Sequence, residues 1–329
     1  MKKLLIFLLT ACLLTGCGGM TTPAAQQPAP TAAKAAEAAG AVFPESLEPI
    51  GMEALLQSET LFVNYTLTAL NPYGQYPEET VINGQGAEAL ARWLLGQTAL
   101  DALAAYQEGL FLQAEDAPVY SGWISPAAED TKAVRLMTTV HVAEAGILEE
   151  ILPAFEEEYG YEVEIIAEKE AEVYLRAAMG EADLILAPAP REGEVFGESD
   201  NFRTIPGFSE CHIPLLRCPY VLCGPGEDPA GVKPIAAAED AHVSISEPKL
   251  RAALKAIAER EAYFISRGDG SDAHLAEMQL WPEEPEGDWY FSADTEMGPC
   301  LTIAEEMGGY VLSDALTFEI FRAANGIVS

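Results

Sequence analysis

Basic side chains are scarce in this chain: 18 Lys and Arg stand against 52 Asp and Glu, for a formal net charge of −34. Nucleic-acid binding needs clustered cations to neutralise phosphates, so that class is excluded. Histidine is rarer still, four in 329 residues, without metal-ligand spacing. Neither H-E-x-x-H nor G-x-S-x-G occurs, so Ser266, Ser271, His141 and His274 lack the frame of a hydrolase. No catalytic residue, metal site or cofactor is assigned. The six cysteines form no C-x-x-C pair, which argues against a zinc site. With Cys12 and Cys17 of the N-terminal segment set aside, Cys211, Cys218, Cys223 and Cys300 remain, open to either bridging or burial as thiols. No tandem repeat is present, which excludes an array.

What is present begins with an export signal. Met1-Lys2-Lys3 is a basic head, and Leu4 to Leu14 is an apolar run too short to span a bilayer comfortably. Leu14-Thr15-Gly16-Cys17 then resembles the lipobox of bacterial lipoproteins. Residues 1–16 are predicted to be the signal peptide and Cys17 the lipidated residue, giving a chain anchored outside the cell membrane. Residues 17–42, rich in Ala, Pro, Gln and Thr, have too few large apolar side chains for a core and read as a tether.

Beyond the tether the pattern is α/β. Leu61–Tyr65 and Leu67–Leu70 are β-prone and end in the turn Asn71-Pro72-Tyr73-Gly74. Helices are predicted over Gly86–Leu95 and Ala99–Gln107. From Ala133 the rhythm is strand (133–138), loop (139–143), helix (145–159), strand (163–167), helix (172–179) and strand (182–187), which implies a largely parallel sheet covered by helices. The helix stripe is Ile147, Leu148, Ile151, Leu152 and Phe155, with Gly160 as its stop. Further on come a strand at Pro219–Cys223, helices at Lys249–Glu261, Met297–Met307 and Thr317–Ala324, and a strand at Gly309–Leu312.

One stretch carries chemistry. Tyr263-Phe264-Ile265 reads as a buried strand, Ser266-Arg267-Gly268-Asp269-Gly270 as a turn, and Ser271-Asp272 as the N-cap of a helix bearing Leu275, Met278 and Leu280. A strand feeding a glycine turn and a helix start aims free backbone N–H groups at one point. Arg267 adds a fork of donors suited to an oxyanion. The competing interpretation of this stretch alone is a solvated turn with Arg267 paired to Asp269 or Asp272.

Three passages resemble the substrate-binding protein of the bacterial tungstate ABC transporter, a two-lobe type II periplasmic-binding-protein fold with its ligand cleft between the lobes. One is Leu136-Met137-Thr138-Thr139 with Gly146-Ile147-Leu148 and Leu152 to Glu156. Another is Ser266-Arg267-Gly268-Asp269 with Ser271, His274, Leu280-Trp281, Gly287 to Tyr290, Met297-Gly298 and Tyr310 to Asp314. The last is Asn71 to Gly74, Ala91 to Leu94 and Gly109 to Phe111. That last passage resembles the family's C-terminal end but stands first here, so the resemblance implies circular permutation, with the old ends joined across Ser121–Lys132. The implied domains are lobe I at 67–212, inserted in lobe II, made of 43–66 and 213–329. Strands around Tyr65–Leu70 and Pro214–Tyr220 would cross between them as a hinge.

By resemblance, Thr138, Thr139, Ser266, Arg267 and Ser271 would bind a small oxyanion such as tungstate or molybdate, for delivery to an ABC permease by lobe closure. The chain departs from the family elsewhere. Val140-His141-Val142 replaces a hydroxyl-rich continuation, and Lys169-Glu170-Ala171 stands where Gly-Thr-Gly is expected. His141, Lys169, Glu170 and His274 are therefore candidate modifiers of the ligand. A carboxylate facing a bound anion at a few ångströms opposes it by about 4 kcal/mol at an effective dielectric near 20. The rival expectation is a binding-protein-like lipoprotein for a cationic or neutral solute, or one with a sensory or adhesive role.

Overall fold

The computed structural model describes residues 51–106, 110–129, 131–190, 199–238 and 247–325. The leader, Cys17 and the tether lie outside them. In chain order the strands are β1 (Met52–Leu70), β2 (Leu112–Gln113), β3 (Ala133–Thr139), β4 (Glu162–Glu168), β5 (Leu184–Pro188), β6 (Phe202–Arg203), β7 (His212–Pro225), β8 (Phe264–Ser266), β9 (Tyr290–Ser292) and β10 (Val311–Asp314). The helices are α1 (Gly84–Leu94), α2 (Gln97–Ala105), α3 (Val140–Glu144), α4 (Ile147–Tyr159), α5 (Glu170–Arg176), α6 (Val232–Ala237), α7 (Pro248–Glu259), α8 (Asp272–Leu280), α9 (Met297–Met307) and α10 (Ala315–Ala324). A π-helical turn, Ala177–Glu181, follows α5. None of the described helices is long and apolar enough to cross a membrane.

Two long antiparallel strands carry the architecture. One sheet runs β10-β7-β1-β5-β3-β4, with β2 on β7 and β6 on β1. β3 pairs parallel with both β4 and β5, as the alternating strand–helix pattern predicts. β1 breaks that rule by running antiparallel to β5 and β7. The register between β1 and β7 slips between Gln57 and Phe62, opposite Val221 and Pro219. That slip separates two hydrophobic bodies. Tyr65, Leu67 and Ala69 of β1, with Ile213 to Cys218 of β7, pack into the first. Met52, Leu55 and Leu56, with Tyr220 to Cys223, pack into the second. A strand of 19 residues is long for a globular sheet, and here each end serves a different core.

The first half is a three-layer sandwich whose logic is the period of two along a strand. Leu136, Leu184 and Leu186 face the core formed with α1, α2 and α4. Met137, Ile185 and Ala187 face the opposite side, under Val173 and Ala177. Helix α4 meets α1 through Trp93 and Phe155, 5.5 Å between ring centroids, and Phe155 stacks on Tyr161 at 5.2 Å. Residues 87–106, with Leu110 and Phe111, therefore share one core with residues 136–155. Where a loop was predicted over 139–143 the chain instead makes α3, because Thr139 caps it: its hydroxyl accepts from the Val142 N–H.

The second half sets α7, α8, α9 and α10 around β10, the near end of β7, and the small parallel pair β8–β9. Its aromatic knot is Phe264, Trp281, Trp289 and Tyr290, with centroids 5.0–6.0 Å apart. The bulge at Ser58–Leu61 is tied to this half through Glu247, whose carboxylate accepts from Ser58 Oγ at 2.8 Å and from the Thr60 N–H.

Candidate functional site

Where the two halves face each other lies a cavity of ≈ 20 Å³, about the room for one water molecule. Its walls include Thr139, His141 and Glu170 from the first half and Arg267, Asp272 and Asp314 from the second. Tyr65 and Tyr220, from the paired strands, line it as well.

Arg267 is its chemical centre. The side chain is only 6% exposed, and each edge of the guanidinium meets a different carboxylate. Nε donates to Asp269 Oδ2 at 2.8 Å, Nη2 to Glu296 Oε2 at 3.0 Å, and Nη1 to Glu170 Oε2 at 3.3 Å. The first two come from the second half. Glu170 opens α5, so its contact crosses from one half to the other. Burial works against the charge on Arg267, but these carboxylates hold its pKa above the usual value. For Glu170 burial wins: it pushes the carboxyl up despite the guanidinium, and Asp272 and Asp314 push the same way. Asp269 goes down; burial alone would raise it, and hydrogen bonds from Ser271 together with Arg267 reverse the sign.

The turn that aims Arg267 is fixed by its sequence. Gly268 has φ +68°, and a Cβ there would sit 1.9 Å from Ser292 Oγ, a conformation and a space that only glycine accepts. Asp269 Oδ1 takes the Ser271 N–H at 3.0 Å, and Ser271 Oγ caps α8 at the His274 N–H. His274 folds back, its Nδ1 accepting from the Gly270 N–H at 2.9 Å. The local prediction of strand, glycine turn and capped helix thus matches the geometry. The Arg267–Asp269 pair forms too, but on a buried side chain rather than a solvated turn, and the Gly270, Ser271 and His274 N–H groups expected to be free are taken by side chains.

The other candidate residues fall in different places. Thr139 lines the cavity, whereas Thr138, fully buried, donates its Oγ1 to the Leu186 carbonyl at 2.7 Å. Ser266 is wholly buried and is not among the lining residues. Ser271 and His274 shape the turn rather than the wall. His141 is in the wall, with a buried Nδ1 that carries no hydrogen bond. Lys169 is exposed and lies outside the wall, so it does not neutralise the neighbouring Glu170. Sequence reasoning missed Glu296, Tyr65 and Tyr220, and it did not single out Asp314. Asp314 caps α10, accepting from Thr317 N and Oγ1 at 2.8 and 2.7 Å; the D-x-x-T spacing was the available signal. The tyrosines sit in strands whose alternation marks them simply as core.

With ≈ 20 Å³ of free space, another oxygen anion reaches Arg267 only by displacing a present partner. Around it the balance is negative: Glu170, Asp269, Asp272, Glu296 and Asp314 surround one guanidinium. Among the described residues no group of His, Cys, Asp and Glu could hold a metal ion.

A family model described as a PBP superfamily domain matches residues 125–326. The tungstate-binding protein TupA of Peptoclostridium acidaminophilum is 30% identical over 198 residues, which are 59% of this chain and 63% of that protein. The chain thus spans less than two thirds of that curated relative. Among solved structures, the tungstate ABC transporter from Geobacter sulfurreducens is 28% identical, with a TM-score of 0.44 over 59% of this chain and 76% of the other. The tungstate-binding protein TupA from Desulfovibrio alaskensis is 24% identical, with a TM-score of 0.41 over 59% and 72%.

Proposed function

Because the chain belongs to the PBP superfamily, we propose that it is the solute-binding component of an ABC-type transporter, capturing a small oxyanion on Arg267 between two lobes. The observation that carries this is the cross-cleft contact itself. A buried guanidinium at the seam of two hydrophobic cores already donates to an oxygen anion presented from the opposite half. A tungstate- or molybdate-like anion would use the same Nη1–H, with Thr139 on the facing wall. Capture is closure of the lobes and release is their reopening, with no bond made or broken. The relatives' names support this ligand class.

The lobes in this reading follow the 67–212 against 43–66 plus 213–329 that the sequence suggests, with the boundary moved to the register slip because Tyr65 and Ile213 to Cys218 pack in the first core. The β1–β7 register slip at Gln57–Phe62 is the natural bending point, since the ladder is interrupted there. Circular permutation completes the reading. It is supported by a family match that begins only at residue 125, while β1, α1 and α2 ahead of it fill the sheet and first core. Cys17 would carry lipid and tether the protein outside the membrane, next to its permease.

The test is thermal melting of the full chain with millimolar tungstate, molybdate, sulfate or phosphate. A bound anion raises the melting temperature by mass action. The expected result is a concentration-dependent rise with tungstate or molybdate that disappears in Arg267→Ala. A rise unchanged by that substitution would sink the assignment of the anchor. The second reading, a cationic or neutral solute, is favoured by the surplus of carboxylates, and amines and amino acids in the same assay test it.

A further inference from the structure

Glu170 stands where an incoming anion would have to bind. Its Oε2 lies 3.3 Å from Arg267 Nη1, and the remaining cavity of ≈ 20 Å³ admits no tetrahedral oxyanion beside it. Asp269 and Glu296 also hold Arg267, but both belong to its own half and travel with it when the halves part. Of the three carboxylates on Arg267, only Glu170 comes from the other half. Its neighbours do not divert it: Glu168 is paired with Arg176, and Lys169 is exposed outside the wall.

We infer that Glu170 is a specificity-determining internal ligand of Arg267, closing the cleft itself and admitting only an anion that displaces it. The inference rests on Arg267 being the anion anchor. Exchange of one oxygen anion for another on the same guanidinium is nearly even in contacts. The carboxylate, however, is tethered and competes at high effective concentration. Once displaced it remains within a few ångströms of the newcomer and repels it. Both effects lower affinity for doubly charged anions.

The experiment compares the full chain with Glu170→Ala and Glu170→Gln, measuring tungstate affinity by calorimetry and amide exchange without added anion. The expected outcome is an affinity gain of about a hundredfold in Glu170→Ala and a smaller gain in Glu170→Gln, with faster exchange at residues 139–142 and 267–275 in both. A purely structural role for Glu170 would not raise affinity. Unchanged or weaker tungstate binding, in a protein whose wild type binds through Arg267, overturns the inference and leaves the proposed function standing. Faster exchange with no tungstate binding in any variant supports closure by Glu170 and instead defeats the oxyanion reading.

Discussion

Two arginines in this protein meet carboxylates in opposite ways. Arg135, on β3, is matched to one partner: Nη2 donates to Asp183 Oδ1 at 2.8 Å and Nε to Oδ2 at 3.2 Å. Its other donors go to backbone carbonyls at Gly180, Val81 and Ala182. Asp183 in turn accepts the backbone N–H of Asn83 and of Arg135 itself, each at 2.8 Å. Every contact lies within the first half, and the fork-to-fork geometry leaves nothing to exchange. Arg267 has instead three single contacts to three carboxylates, one of them from across the seam. A saturated bidentate pair organises structure. An arginine shared among surplus acids, one of them from across the seam, is the arrangement that the proposed exchange requires.

The strongest way to break this contrast is Asp183→Ala. It strands a partly exposed guanidinium and the two buried-side N–H groups that Asp183 satisfies, linking β3, β5 and the start of α1. Removing one member of a buried pair costs about 3–5 kcal/mol. A chemical denaturation midpoint lowered to match is expected, with Arg267-dependent anion binding retained in whatever fraction folds. Gly268→Ala should rank next. Strain at φ +68° and the overlap with Ser292 cost on the order of 1–3 kcal/mol, and the turn that aims Arg267 shifts. Here stability falls less than for Asp183→Ala but anion binding is lost, so the two variants should separate on a plot of stability against affinity. If both lose stability and binding in proportion, the distinction between a structural and an exchangeable arginine fails.

How far the sequence foretold these two sites follows from the range of the forces involved. The Arg267 turn was legible because its determinants are local: a short apolar strand, glycines at positive φ and a serine cap within nine residues. The α4 stripe and the β3–β4–β5 rhythm were legible for the same reason. The partners of Arg267 were not. Glu296 lies 29 residues away and Glu170 97 residues away, and neither distance leaves a mark in a hydrophobic period. Glu170 drew attention only because a carboxylate stood where the resemblance implied glycine and threonine. The length of β1 was also underread, since the bulge at 58–61 interrupts the alternation that announces a strand. The four cysteines, open to pairing on sequence grounds, are free thiols. Burial pushes Cys300 up to about 12 and raises Cys218 and Cys223 as well. Thiol reagents should therefore label the native protein slowly and at Cys211 first, with the rest released by denaturant.

A third buried carboxylate sharpens the comparison with the smallest expected effect. Glu277, 3% exposed on α8, has no guanidinium at all. One oxygen, Oε1, accepts from Trp281 Nε1 and from Tyr290 Oη, both at 2.9 Å. Burial raises its pKa, and the hydrogen bonds only partly oppose the rise. A carboxyl whose folded pKa is raised favours folding most when it is protonated in both states. That contribution is present below its ordinary value near 4.5 and is lost as pH climbs through the folded value. Glu277→Gln keeps an acceptor oxygen for both donors and removes the charge. The difference in stability between variant and wild type should therefore move in the variant's favour as pH rises from 4 to 7, by thermal melting at each pH. The same substitution at Glu170 should slow no exchange and stiffen nothing, because that carboxylate, unlike Glu277, bridges two halves and uses its charge to hold a cation. A Glu277→Gln difference that is flat with pH would mean that burial is not what sets this carboxyl.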